Sequence, residues 1–200
     1  MKRVRTHTNP LNMIHRFDTV DLNSIMNNTD GCDVEIGFGK GVFLRYWASE
    51  HPKRTLLGIE VRKQIVDQLQ RNLHKENIEN AHIFHGNGTI FMEDALPDKS
   101  IDNLFIFHPD PWFKKRHHKR RVVNQSFLSL AQQKLKADGQ LHLSTDVEAL
   151  WEDMVESISV STAFKKEKDH PFWNTHYKSH WHNFSKKDNR VLNYATFTLS

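Results

Sequence analysis

The chain has 200 residues, a formal net charge of +4 and a sequence pI near 9.1. That length suits one domain with a proper core, built without disulfide or metal staples. The single cysteine, Cys32, excludes an intrachain disulfide and fits a reducing compartment. No apolar run approaches a membrane span, and the basic start Met1-Lys-Arg-Val-Arg lacks the apolar stretch of a secretory signal. The expectation is a soluble, cytoplasmic protein, either monomer or homodimer.

In chain order, residues 1–30 read as a polar arm and a weak leading helix that end in a turn at Asp30-Gly31; residues 31–200 read as a single domain. Val34 to Gly37 forms a short strand running into Gly37-Phe-Gly-Lys-Gly41, and a helix follows over Val42 to Ala48. Thr55 to Glu60 is a second strand. Arg62 to Lys75 is an amphipathic helix with Ile65, Val66, Leu69 and Leu73 on one face. Ala81 to His85 and Ile101 to Phe107 are the third and fourth strands. Val122 to Lys136 is a helix, with Gly139 at the place of a C-terminal glycine. Leu141 to Asp146 is a fifth strand, Val147 to Ile158 a helix, and Val191 to Leu199 a last strand after a hydrophilic insert around 165–190. Strands alternating with helices define an α/β domain with a mainly parallel sheet. Such sheets bind ligands beyond the carboxyl ends of their strands, where the strand order switches. Gly37–Gly41, Glu60, Asn87, Asp110 and Asp146 fall at or just past strand ends, with Glu35 inside the first strand.

Residues 107–121 are the most informative stretch. Asp110 sits between two prolines, which restrict its backbone. Trp112 follows, either as a wedge for the corner or as a stacking platform for a base. Lys114, Lys115, Arg116, Lys119, Arg120 and Arg121 then form a cationic run of the kind that neutralises phosphates. His117 and His118 lie inside it. With His108 they match no usual zinc spacing, so no metal is expected. The glycine loop alone has no specificity: it lacks the Gly-Lys-Ser/Thr of a phosphate loop, and its third glycine comes one residue early for a dinucleotide fingerprint. Glu60 adds to it, because a strand-end carboxylate accepts hydrogen bonds from a ribose diol. Glu35 adds a second acid. Two carboxylates would repel a pyrophosphate and attract a sulfonium, which points to S-adenosylmethionine as the cofactor.

Together, Glu35-Ile-Gly-Phe-Gly-Lys-Gly41, Gly58-Ile-Glu60, Pro109-Asp-Pro-Trp-Phe-Lys-Lys-Arg-His-His-Lys-Arg-Arg121 and Ser144-Thr-Asp146 resemble, in the same order, the tRNA (guanine-N7)-methyltransferase family. The resemblance spans roughly residues 33–150. It implies a class I S-adenosylmethionine-dependent methyltransferase: a Rossmann-like, mainly parallel seven-stranded sheet with helices on both faces, acting on a guanosine of the tRNA variable loop. By position it implies that Glu35, Gly37, Gly39, Gly41, Glu60, Asn87 and Asp110 bind the cofactor and that Asp110 also serves the reacting centre. Lys114, Asp146, Thr175 and Lys178 would bind substrate, and Arg116, His117, His118, Lys119, Arg120 and Arg121 would touch RNA. Two positions depart from the family: Asn87 stands where an acid is usual, and Thr175-His-Tyr-Lys178 replaces Thr-x-x-Glu. A methyltransferase for another RNA and a noncatalytic RNA-binding protein of the same fold are the alternatives.

Overall fold

The computed structural model describes residues 9–18, 21–25, 30–178 and 190–199, without the side chains of 22 and 23. Seven strands form one sheet in the order β3-β2-β1-β4-β5-β7-β6. They are β1 (Cys32–Ile36), β2 (Thr55–Glu60), β3 (Ala81–His85), β4 (Ile101–Phe107), β5 (Leu135–Thr145), β6 (Phe164–Lys166) and β7 (Asn193–Leu199). Strands β1 to β5 run parallel, and β7 lies antiparallel to both β5 and β6. The order reverses between β1 and β4, which places the switch point where the glycine loop and the Asp110 corner emerge.

The helices are α1 (Leu22–Ile25), α2 (Val42–Glu50), α3 (Lys63–Lys75), α4 (Gly88–Ala95), α5 (Gln125–Lys134), α6 (Glu148–Val160) and α7 (Phe172–Thr175). Strand alternation divides the core into two layers. Leu104 and Ile106 of β4 join Phe91, Met92, Phe127, Leu128 and Met154 in one buried cluster; Phe105 and Phe107 join Phe43, Leu44, Trp47 and Phe172 in the other. Phe43 packs edge-on against Phe105 and Phe107, each at 4.8 Å between ring centroids. At the base of β1 the fully buried Asp33 is satisfied by Arg54, Trp47 Nε1 and Asn103 Nδ2, at 2.6–2.8 Å. A buried carboxylate persists only with such a complete set of donors.

Three differences from the sequence-based expectations have local causes. Helix α4 was not among the expected elements; Asn87 is its N-cap and accepts from Thr89 N at 2.9 Å. Helix α5 stops at Lys134, and Gly139 lies inside β5 rather than at a helix end. Asp138, with φ +61°, takes the left-handed position while β5 shifts register against β4 between Ile101 and Asn103. The N-terminal segment packs against the domain. Phe17 meets Phe91 at 5.1 Å, Arg16 pairs with Glu93 and Asp94, and a Cβ at Gly86 would stand 2.4 Å from Phe17 Cζ. Much of the insert expected at 165–190 lies outside the described residues. Among the described residues no helix is long and apolar enough to cross a membrane.

Candidate active site

The glycine loop bends because Gly37, Gly39 and Gly41 all take positive φ, at +75°, +53° and +65°. Gly41 has a second constraint, since a Cβ there would lie 2.5 Å from Leu69 of α3. The loop thus closes tightly over β1, and nothing lies within 4 Å of the position a Cβ would take on Gly37.

Two carboxylates stand beneath it. Glu35 pairs in register with Gly58, so Glu60, two residues further along β2, shares its face. Both side chains are 3% exposed, yet their surroundings differ. Glu60 accepts from Gly39 N and Arg62 N at 3.1 Å each, and from Arg62 Nε and Nη2 at 2.9 Å each. Glu35 has a buried Oε2 with no hydrogen-bond partner. Burial, with the Glu60 charge second, pushes the Glu35 carboxyl up to about 8. An orphaned buried oxygen beside a second acid is the environment a cationic, hydrogen-bonding ligand would relieve.

Gly37, Glu60 and Asn87 line a common cavity of about 750 Å³. Its other walls include Pro10, Leu11, Met13 and Ile14 of the N-terminal segment and Lys119 to Val122 at the end of the cationic run. The Asn87 side chain is engaged on both sides: Oδ1 caps α4, and Nδ2 donates to Pro10 O at 3.0 Å.

The second part of the site lies over β4 and β5. His108 and Trp112 both adopt left-handed φ, at +48° and +46°, so the Pro109-Asp110-Pro111 corner is held between two strained residues. His108 is buried and contacts Asp146 Oδ1 at 3.2 Å and the Tyr177 hydroxyl at 2.9 Å. Tyr177 also meets Ser144 Oγ at 2.8 Å, and Arg190 Nη1 donates to Asp146 Oδ2 at 2.9 Å. This network ties the end of β4, the end of β5 and the segment after α7. Asp110 and Glu60 both act on Arg62 and, with the hydrogen bonds to Glu60 first, raise its guanidinium above its ordinary value.

The cationic run divides. Lys114, Lys115, Arg116 and Lys119 are exposed along a 3-10 turn over Lys115–Arg120. Arg120 lies over the Trp112 ring at 4.9 Å, and the His117 ring meets its edge at 5.9 Å. Trp112 is therefore the wedge of the corner. Arg121 turns inward: Nε donates to Pro111 O at 2.9 Å, the Nη2 side of the guanidinium meets His118 Nε2 at 3.1 Å, and Nη1 pairs with Asp153 at 3.1 Å. It braces the corner rather than facing outward. Desolvation and the neighbouring Arg120, Arg116 and Lys114 push His117 below its ordinary value, so it adds little charge to the strip at neutral pH. Among the described residues no cluster of three or more His, Cys, Asp or Glu is arranged to hold a metal.

Thr175 and Lys178 lie on either side of Tyr177 in the chain. Thr175 lines a separate cavity of about 390 Å³ with Trp47, His142 and Phe172. Lys178 Nζ sits 3.8 Å over the ring of Tyr46 on α2. Sequence reasoning missed Arg62, Tyr177 and Arg190, and it weighed His108 only as a metal ligand. Arg62 was findable, two residues beyond a strand-end acid; the other contacts join residues too far apart in the chain for any local signal.

The strand order, the acid-lined glycine loop and the corner at the switch point define a class I methyltransferase fold. The family model Methyltransf_4, described as "Putative methyltransferase", matches residues 31–196. Solved structures of similar fold include the 16S rRNA methyltransferase KamB (TM-score 0.66, 13% identity, 92% of this chain and 95% of that one). The aminoglycoside resistance methyltransferase NpmB1 has a TM-score of 0.63 at 15% identity, with the same coverage. Among curated relatives, the tRNA (guanine-N(7)-)-methyltransferase of Nitrosococcus oceani is 42% identical over 139 residues, 70% of this chain and 57% of that protein. The protein of the same name from Pseudoalteromonas atlantica is 30% identical over 164 residues, 82% of this chain and 69% of its own length. The chain belongs to the tRNA (guanine-N7-)-methyltransferase family. It spans 57% of the length of the Nitrosococcus relative, and 57% and 62% of two proteins of the same name from Shewanella amazonensis and Shewanella oneidensis.

Proposed function

We propose that this protein transfers a methyl group from S-adenosylmethionine to N7 of a guanosine in the variable loop of tRNA. The observation that carries the proposal is the pairing of two buried acids, one with an orphaned oxygen, with a rigid Asp110 corner and an exposed cationic strip along one sheet edge. The activity for which the relatives are named supports the same reading.

S-adenosylmethionine, when bound, supplies a methyl group on a positively charged sulfur. Glu60, whose oxygens now accept from Gly39 N and Arg62, takes a ribose diol in exchange for its Arg62 side-chain contacts. Glu35 ionises fully once a positive group comes near, which favours a cationic donor over a neutral one. Asn87 lines the cavity and fixes its wall by capping α4 and holding Pro10 O.

Guanine N7 carries a free lone pair, so no general base is needed to make the nucleophile. The protein's work is alignment, which converts an encounter between two molecules into a reaction of held groups. Asp110 orients the guanine by accepting from its N1–H and exocyclic amine, and its corner keeps that carboxylate from drifting. Lys114, Lys115, Arg116 and Lys119 hold the surrounding phosphates, which makes binding steeply salt-dependent.

The test is incubation with labelled donor and unmodified tRNA, followed by nucleoside mapping. Label in 7-methylguanosine of the variable loop is expected. Asp110→Ala should lower turnover at saturating substrates by about 100-fold or more, on the scale of a lost positioning contact, while tRNA binding is kept. Label in another nucleoside would redirect the reading to a different RNA. Full turnover by Asp110→Ala would remove that residue from the reaction.

A further inference from the structure

Phe113 has no task in the fold. It is 73% exposed, three residues beyond Asp110. The preceding Trp112 is consumed internally, with Arg120 over its face and His117 at its edge. The backbone that carries Phe113 is stiff, because Trp112 holds a left-handed φ and Pro111 precedes it. Next along the chain come exposed Lys114, Lys115 and Arg116.

A scattered exposed aromatic ordinarily needs no explanation. This one projects from a fixed corner beside the proposed reacting carboxylate, and the side chains after it are cations. A protein partner would want a contiguous apolar patch, whereas the chain offers one ring followed by positive charge. A flexible nucleic-acid strand presents the complement: a flat π-face on each base and phosphates on either side.

We propose that Phe113 is a stacking platform for a base of the RNA substrate, next to the target guanosine. This rests on the tRNA reading above and deepens it. The lysines and Arg116 fix the backbone, and the Phe113 ring takes a neighbouring base that leaves its stack as the target turns outward. Stacking is blind to base identity, so Phe113 holds the exposed strand in place and leaves the choice of guanine to Asp110.

The test compares the wild type with Phe113→Ala, Phe113→Leu and Phe113→Trp in direct binding to unmodified tRNA across a salt series. Because Phe113 is exposed, all three variants should fold, which circular dichroism checks. Alanine should weaken binding by about 5- to 100-fold, the range for loss of one stacked base. Tryptophan should restore it and leucine should not, since leucine has no π-face. The slope of affinity against salt should stay constant, because no phosphate contact is removed. Affinity of Phe113→Ala within twofold of wild type, or full rescue by leucine, overturns the stacking role and leaves the methyl-transfer reading intact. A wild type with no salt-dependent tRNA binding overturns both.

Discussion

The edge over β1 and β2 and the edge over β4 and β5 solve opposite problems. Over β1 and β2, Glu35 is buried with an oxygen unsatisfied and its carboxyl raised to about 8. Over β4 and β5 the buried Asp146 is engaged on both oxygens, by His108 and Arg190, and His108 is held again by Tyr177. The first region stores unfavourable electrostatics that a positive ligand relieves. The second is internally complete, so any substrate reaching Asp146 must displace Arg190, whose side chain is 43% exposed. On the proposed reading, the first is the donor side and is primed in advance, and the second is the acceptor side.

The sharpest way to break this contrast is pH. Glu35 has a folded-state value above its unfolded one, so the native state holds the extra proton between about 4.5 and 8. Its contribution to stability is therefore present at low pH and fades as pH rises through that window, ending near 8, with an upper bound of about 5 kcal/mol. Glu35→Gln should flatten the loss of stability between pH 5 and 8, followed by denaturant melts at each pH. Binding of S-adenosylmethionine should tighten as pH rises toward 8 and release a proton, detectable by calorimetry in buffers of different ionisation heat. Glu35→Gln should abolish both effects. Wild-type affinity that does not change across the window would end the idea of a primed acid.

A smaller effect tests the opposite region. Tyr177→Phe removes one hydroxyl and leaves His108 Nε2 and Ser144 Oγ short of a partner. A cost of about 1–3 kcal/mol follows, seen as a melting temperature lower by several degrees. With the acceptor edge loosened, the Michaelis constant for tRNA should move while that for the donor stays put. Equal movement of both would mean that the two edges are not separable.

The smallest effect is expected at Lys178. Its place over Tyr46 predicts that Lys178→Ala changes turnover by less than about threefold, since an exposed cation–π contact contributes only about 0.5–1 kcal/mol. A drop of tenfold or more would return this position to the substrate site, where the family resemblance puts it.

The two regions also differed in how far they could be read in advance. Glu35 lies in β1, the glycine loop follows it and Glu60 ends β2, so all three were legible from local order. Strands β2, β3 and β4 have the bounds that periodicity and composition indicate. Helix α4, capped by Asn87, was not expected, and β5 begins earlier than expected because a register shift lets Leu135 pair before the turn at Asp138. In the cationic run composition counted six equal charges, while the fold turns Arg121 inward and lays Arg120 on Trp112.

Residue order alone determined the alternation of strands and helices, the acids and glycines at the switch point, and the cationic segment after Pro-Asp-Pro-Trp, because each depends on neighbours a few positions apart. Only the folded chain decided which acid is satisfied and which is orphaned, that His108 joins Asp146 to Tyr177, and that Phe113 rather than Trp112 faces outward. Those outcomes depend on burial and on contacts between residues tens of positions apart, and both exist only after the sheet has closed around its core.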